Sequence, residues 1–444
     1  MLLSPLSELF YINSLSLVML SLIVFLSITI FGYSINYMKG DRLYFSFLVK
    51  LVSLSISLIM TICADNIFLF IFLWFSNNII LVSLMIHKKS WKEARFAGTN
   101  ALNNFLISGL FIASGLMILS KNSGSIYFSR ILSSAIEQNL SYYITISFLI
   151  IGSCMQSALF PFHKWLLSSL NSPTPVSSMM HAGIVNGGGY LLIKLAPLYS
   201  DNILILNIIF IMGFLSAFTG TIWKLMQNNN KNMLACSTMA QMGCMIMEIG
   251  LGLFSVALTH ILLHSMFKSY LFFASGSAAE EKRISLDKLS SITIILSLLM
   301  GLPSILIFSK ISDISFSFDT RLVILALCYI SFVQFIFTFF AKKISLNFFS
   351  LLLCSLIPPV IYGLNISLMH NIFVSSLDSP QSLNILHIFA ITSFVLSWII
   401  FACCSCSFKS KNLQKIRNYL YVKMLNSSAS DFKTITANRN NYNY

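Results

Sequence analysis

Residues Ser172–Leu192 read SPTPVSSMMHAGIVNGGGYLL: two prolines two positions apart, a histidine and three consecutive glycines inside an otherwise apolar run. Proline removes a backbone donor and glycine loosens a helix, so both interrupt α-helices. In a bilayer, interrupted backbone survives only where protein or a water-filled cavity satisfies its polar groups. An ionisable side chain at such a break is expensive to keep and marks a functional site by default. His181, with Pro173, Pro175, Gly187, Gly188 and Gly189, therefore predicts a discontinuous helix over residues 173–197 with an ion route beside it. The competing reading is structural: the glycines let helices approach closely, and His181 hydrogen-bonds a neighbour.

The surrounding chain supplies the bilayer. Its 444 residues are 57% hydrophobic and only 9% charged, with a mean hydropathy of +0.82, whereas a soluble domain is about a quarter charged. Apolar runs of about 20 residues recur from end to end, each long enough to cross about 30 Å of hydrocarbon. Spans are expected at 10–33, 43–63, 66–87, 100–119, 141–160, 176–197, 203–225, 232–253, 255–276, 290–310, 320–341, 345–364 and 385–407. That is an all-α, polytopic membrane protein of about thirteen helices. A β-barrel would show weaker alternating segments of about ten residues. The first run has Glu8 ahead of it and no basic flank, so it reads as a span and not as a cleaved signal. Gly301–Pro303 and Pro358-Pro359 read as further helix breaks, but neither has a histidine beside it within the membrane.

A net charge of +14 in a soluble protein would point to nucleic acid. Here the basic residues fall between spans, which excludes that reading and fits the positive-inside pattern. Lys39 and Arg42 follow the first span, Lys88, Lys89, Lys92 and Arg95 the third, Lys282, Arg283 and Lys288 the ninth, and Lys342 and Lys343 the eleventh. A basic tail starts at Lys409. The asymmetry places the N-terminus outside and the tail in the cytoplasm of a cell inner membrane, with residues 1–407 as the transmembrane domain and 408–444 as the tail. An amphipathic surface helix is expected over Leu413–Leu425, with disorder beyond it. The basic loops 88–95 and 282–288 are candidate docking sites for a partner.

Three sets of residues can carry chemistry besides His181. His260, His264 and Lys268 are spaced i, i+4, i+8, which stacks them on one helix face as a proton relay. Glu248 needs a partner at its depth, and Lys268 is the expected one. Lys50 and Lys194 either snorkel to the interface or join the route. The nine cysteines lie mostly in spans as small apolar residues, and Cys403, Cys404 and Cys406 lack partners for a metal. No phosphate loop, dinucleotide fingerprint or zinc pattern is present, so neither an enzyme nor a resident cofactor is expected in this chain.

Five stretches are similar to the antiporter-like membrane subunits of complex I and of multisubunit sodium/proton antiporters. They are YSINYMKGD (33–41), SALFPFHKWL (157–166), PTPVSSMMHAG (173–183), MLACSTMAQMG (233–243) and HILLHSMFKSYLFFASGS (260–277), in the family's order. The resemblance implies roles in or near a proton path for His181, Lys231, His260, His264 and Lys268, alongside Glu248 and Lys194. It also shows departures. Phe75 follows Trp74 where such subunits carry glutamate, Gln156 stands for a lysine, and Asn171 for a second glutamate. A usual Glu–Lys pair is therefore missing.

HAGIVNGGGYLL (181–192), STMAQMG (237–243), HSMFKSYLFFASGS (264–277) and SLMIHKKSWKEAR (83–95) resemble instead the membrane subunit of DAB-type inorganic carbon transporters. That resemblance implies a large peripheral partner similar to a zinc β-carbonic anhydrase. Cation flow, of protons, through the membrane chain would drive CO2 hydration there and accumulate bicarbonate, with the zinc in the partner. The alternative is a proton-translocating subunit of a complex I-like NADH–quinone oxidoreductase or a sodium/proton antiporter. A scaffold that anchors a partner without conducting ions is the third reading.

Overall fold

The computed structural model describes residues 9–134, 137–227, 229–275, 291–341, 348–372, 378–404, 411–429 and 431–434. The basic positions 282–288 and 342–343, Cys406, Lys409 and Arg439 lie outside the described residues. Among those described there is no β-strand, only three isolated bridges.

Asparagines punctuate the apolar runs. The side chain of Asn13 caps α1 (Ser14–Tyr37), Asn66 caps α3 (Ile67–Met85), and Asn139 caps α6 (Leu140–Gln156). Asn202 does so for α10 (Ile203–Met226) and Asn229 for α11 (Asn230–Gly250). Each accepts a bond from an N–H that the first helical turn leaves without a partner. Between these lie α2 (Tyr44–Cys63), a long α4 (Lys92–Ser123), and the short α5 (Phe128–Ser133) and α7 (Lys164–Leu167). α8 (Thr174–Ala182) and α9 (Gly187–Lys194) are the two halves of the broken segment. α12 (Phe254–Ala274), α13 (Ser291–Ser312), α14 (Arg321–Ala341), α15 (Phe348–Ile372), α16 (Ile385–Cys404) and α17 (Lys411–Ser427) complete the chain.

Among the described residues ten helices are long and apolar enough to cross a membrane, Leu140–Gln156 and Ile385–Ile400 are shorter apolar helices, and the sixth expected span is the broken one. α4 starts at Lys92, eight residues before the expected edge at 100. Contrary to expectation, α13 runs through Pro303 and α15 through Pro358 and Pro359. Neighbouring helices stabilise such residues in membranes by satisfying the carbonyls they free; Ser304, next to Pro303, donates both to Met300 O and across to Ser355 O.

α11 is the central helix, with 83% of its apolar window buried. It lies against α10 through glycines on both sides. A Cβ on Gly213 would fall 2.3 Å from the Met247 nitrogen, one on Gly243 2.3 Å from Ala217 N, and one on Gly250 2.3 Å from Phe210 N. Small residues let the two backbones touch, as membrane helices do when apolar burial alone cannot drive association. One core surrounds α1–α12, and a second joins Phe210, Leu251 and Val256 to Phe308, Phe332 and Ile366 of the later helices.

The tail helix is longer at both ends than the expected 413–425, and the chain beyond it docks. Asn171 donates to Thr434 O (2.8 Å), Gln227 to Ser428 Oγ (2.7 Å), and the Lys433 ammonium lies 5.0 Å from the Phe96 ring centre. The tail thus sits at the same end of the bundle as the 88–95 loop.

Backbone contact at Gly213 makes a sharp prediction. Gly213→Val should leave little folded protein, because overpacking costs about 1–3 kcal/mol even where side chains can give way. Gly32→Val, where nothing lies within 4 Å, should keep the wild-type melting temperature. Thermal melts followed by size-exclusion chromatography separate the two.

Candidate functional site

The interruption falls one turn earlier than the glycine run. α8 ends at Gly183 (φ −112°, ψ −75°), residues Ile184–Asn186 form a single 3-10 turn, and Gly187 is already helical. Pro173 caps α8 and Pro175 sits in its first turn, where a missing N–H is harmless. Gly188 is there for approach: a Cβ would meet Ser153 O at 2.2 Å. The break is held by Asn186, which donates to Ala182 O (2.6 Å) and to Ser265 Oγ on α12 (2.8 Å).

His181 is buried against α11 and α12. Its ring stacks on Phe272 with centres 4.7 Å apart, and Nδ1 lies 3.0 Å from Thr238 Oγ1. The Thr238 hydroxyl donates to Leu234 O at 3.0 Å, so its oxygen accepts from His181. That assigns the ring proton to Nδ1 and leaves Nε2 as the basic nitrogen. The same Leu234 carbonyl accepts from Lys268 Nζ at 2.9 Å, and Lys268 is fully buried. His181, Thr238, the Leu234 carbonyl and Lys268 thus form one continuous polar chain between α8, α11 and α12. His264, one turn from Lys268, is 5% exposed, and neither ring nitrogen has a protein hydrogen-bond partner.

Glu248 does not pair with Lys268. Its carboxylate holds His260 Nδ1 at 2.9 and 3.1 Å, while His260 Nε2 faces Gln241 Oε1 at 3.0 Å. One ring nitrogen of His260 thus meets the Glu248 carboxylate and the other the Gln241 amide. The two partners flank the α11–α12 turn, whereas Lys268 is well along α12.

Lys194 does not snorkel. Its ammonium donates to Ala64 O (2.9 Å) and lies 4.2 Å from the Phe128 ring centre and 5.3 Å from that of Phe70. Aromatic faces stabilise a desolvated cation. Lys231 caps the approach to the break, donating to Leu170 O (2.9 Å) and Ser172 O (3.4 Å). It lines a wide polar vestibule with Lys39, Asp41, His87, Lys88 and Glu93 at the end of the bundle. Within that vestibule His87 Nε2 lies 3.1 Å from Asp41. Burial raises the Asp41 pKa, but the Leu43 N–H and His87 outweigh it and hold the carboxyl below the usual range.

The sequence singled out His181, His260, His264, Lys194, Lys231 and Lys268, but assigned no role to His87, Thr238, Gln241, Asn186 or Gly183. Thr238 and His181 are 57 positions apart, so only the fold brings them together. Gln156 and Asn78, at and near the departures from the charge pair, form a reciprocal amide pair (3.1 and 3.4 Å). Among the described residues, no three His, Cys, Asp or Glu side chains converge as a metal site.

If the Thr238 hydroxyl sets the His181 tautomer, Thr238→Val should lower proton flux about tenfold, equivalent to about 1.4 kcal/mol. Thr238→Ser should restore it. Flux in membrane vesicles, normalised to folded protein, measures both.

The chain matches the NADH:quinone oxidoreductase/Mrp antiporter transmembrane family over residues 64–338, and the complex I chain 5 N-terminal family over residues 5–48. It is 34% identical over 281 residues to the "Probable inorganic carbon transporter subunit DabB1" of Halothiobacillus neapolitanus, covering 62% of this chain and 50% of that one. It is also 32% identical over 273 residues to NADH-ubiquinone oxidoreductase chain 5 of Schizophyllum commune, covering 60% and 39%. The chain thus spans about half the length of the curated relatives it matches. Its fold resembles a chain in the structure of the Mrp complex from Dietzia sp. DQ12-45-1b, with a TM-score of 0.66 and 16% identity over 93% of this chain and 52% of that one. With its broken helix and buried bases at the centre of the matched region, the chain belongs to the NADH:quinone oxidoreductase/Mrp antiporter family of membrane-spanning subunits.

Proposed function

We propose that this chain is the proton-conducting membrane subunit of an inorganic carbon transporter, with catalysis in a partner. The observation that carries the reading is the makeup of the buried chain. His181, Lys268 and His264 cluster around α11 and α12 with Lys231 at the entrance, and the buried carboxylate of Glu248 is already paired with His260. Nitrogen bases pass protons between them, since histidine changes charge near neutral pH. A sodium ion stripped of water needs oxygen ligands or uncompensated negative charge, and the two oxygens among these bases, Thr238 Oγ1 and Leu234 O, are already engaged by His181 and Lys268.

Two further observations support the carbon-transport branch. Gln156 stands where redox-driven relatives carry the lysine of their charge pair, and Phe75 and Asn171 stand where they carry glutamates; DabB subunits are among the similar proteins. In this reading a large peripheral subunit resembling a zinc β-carbonic anhydrase docks on the chain. Proton flow inward drives its hydration of CO2, and the zinc belongs to that subunit. The basic loop 88–95 and the docked tail share one end of the bundle, which is the cytoplasmic face of an inner membrane on positive-inside grounds; the N-terminus is then outside. The 32% identity to a respiratory chain 5 and the Mrp-like fold favour a second reading, a complex I or sodium/proton antiporter subunit. That reading expects co-purification with a large redox or antiporter complex.

Co-expression with a large β-carbonic-anhydrase-like partner subunit should let carbonic-anhydrase-deficient cells grow in air. Lys268→Ala and His181→Ala should abolish that rescue while both subunits still co-purify. No rescue by the wild-type pair, with both subunits in the membrane, contradicts the proposal. Rescue that survives both substitutions favours a scaffold.

A further inference from the structure

On the other side of the broken helix from His181 lies a cavity of about 50 Å³, bounded by α1, α2, α3, α6 and the Gly183–Gly187 break. No charged residue lines it. Its polar groups are Thr61, Trp74, Asn77, the Asn78–Gln156 pair and Tyr190, and their bonds can be followed one by one. Tyr190 donates to Ile62 O, and Asn78 and Gln156 bond each other. Thr61 donates its only hydroxyl proton to Ser57 O (2.7 Å). Its oxygen can therefore only accept, which fixes Asn77 with Nδ2 toward Thr61 (2.7 Å) and Oδ1 turned away. Asn77 Oδ1 and Trp74 Nε1 are both left without a protein partner, although the two residues are only 4% and 5% exposed.

Two residues lining one cavity thus carry an unpaired acceptor and an unpaired donor, and buried polar groups are rarely left so. An ion is a poor occupant, since nothing of opposite charge faces it. An acyl chain or dissolved gas offers no donor to Asn77. Water offers both donor and acceptor, and a cavity measured this way needs about 10–15 Å³ to hold a first molecule, so this one has room for a small cluster. We propose that this cavity is a binding site for a cluster of two or three water molecules, anchored by Trp74 Nε1–H and Asn77 Oδ1 beside the Asn78–Gln156 pair. The cluster rests against the break in the helix, and it puts an uncharged hydrated chamber where the family resemblance leads one to expect a charge pair. Only its use in proton transfer rests on the transport reading above.

X-ray radiolysis, which makes hydroxyl radicals from bound water, tests the site in the purified protein in nanodiscs. Met19 and Trp74 line the cavity and are buried, and Met247, likewise buried, lies elsewhere. Met19 and Trp74 should be oxidised several-fold faster than Met247, and Asn77→Leu should bring Met19 down to the Met247 rate. If Asn77→Leu does not fold, Trp74→Phe, read at Met19, carries the same comparison. Oxidation of Met19 and Trp74 at the Met247 rate in the wild type overturns the proposal, as does Met19 labelling unchanged by either substitution. Labelling reports water whether or not the chain conducts, so this result stands apart from the growth test.

Discussion

One carbonyl oxygen organises the centre of this protein. Leu234 O on α11 accepts from Lys268 on α12 and from Thr238 on its own helix, and Thr238 in turn receives the His181 Nδ1 proton from α8. A buried ammonium with no carboxylate beside it is costly in a bilayer. It is kept here by a carbonyl already tied to a hydroxyl and an imidazole. The arrangement requires α8 to stop at Gly183 and α11 to lie against both neighbours, so the broken helix, the glycine-lined α10–α11 contact and the line of bases are parts of one solution.

The charges are segregated around that centre. Glu248 and His260 satisfy each other beside the α11–α12 turn, Lys194 is enclosed by Phe70, Phe128 and a backbone carbonyl, and the vestibule holds its own His87–Asp41 contact. Between them, the Asn78–Gln156 pair carries no charge at all. The molecule thus separates a basic lane on one side of the broken helix from an uncharged cavity of mixed apolar and amide lining on the other. This makes the break more than a disruption: it is the wall between two environments.

Much of this was legible in the sequence because the cues are local. Apolar runs place helices, and an i, i+4, i+8 spacing puts His260, His264 and Lys268 on one face. What failed needed the third dimension. Glycines usually break helices, yet Gly188 is helical because the missing side chain makes room for Ser153 O. Prolines 303, 358 and 359 do not end their helices. Glu248 was matched to Lys268 by charge, but α11 and α12 form a hairpin about Gly252 (φ +74°). Lys268 is then about 20 Å along α12 at 1.5 Å per residue, and His260 is the base within reach. The Thr238 and Asn77 bonds join distant segments, and no spacing rule reveals them.

The central claim is that protons, and not sodium ions, cross this chain by way of the buried bases. Purified protein in liposomes with an imposed pH gradient and a trapped pH-sensitive dye measures this directly. The account predicts that the wild-type chain collapses the gradient equally fast with sodium or with potassium present, and that Lys268→Ala, folded to the same extent, does not. Collapse that requires sodium, or that persists unchanged in Lys268→Ala, contradicts it.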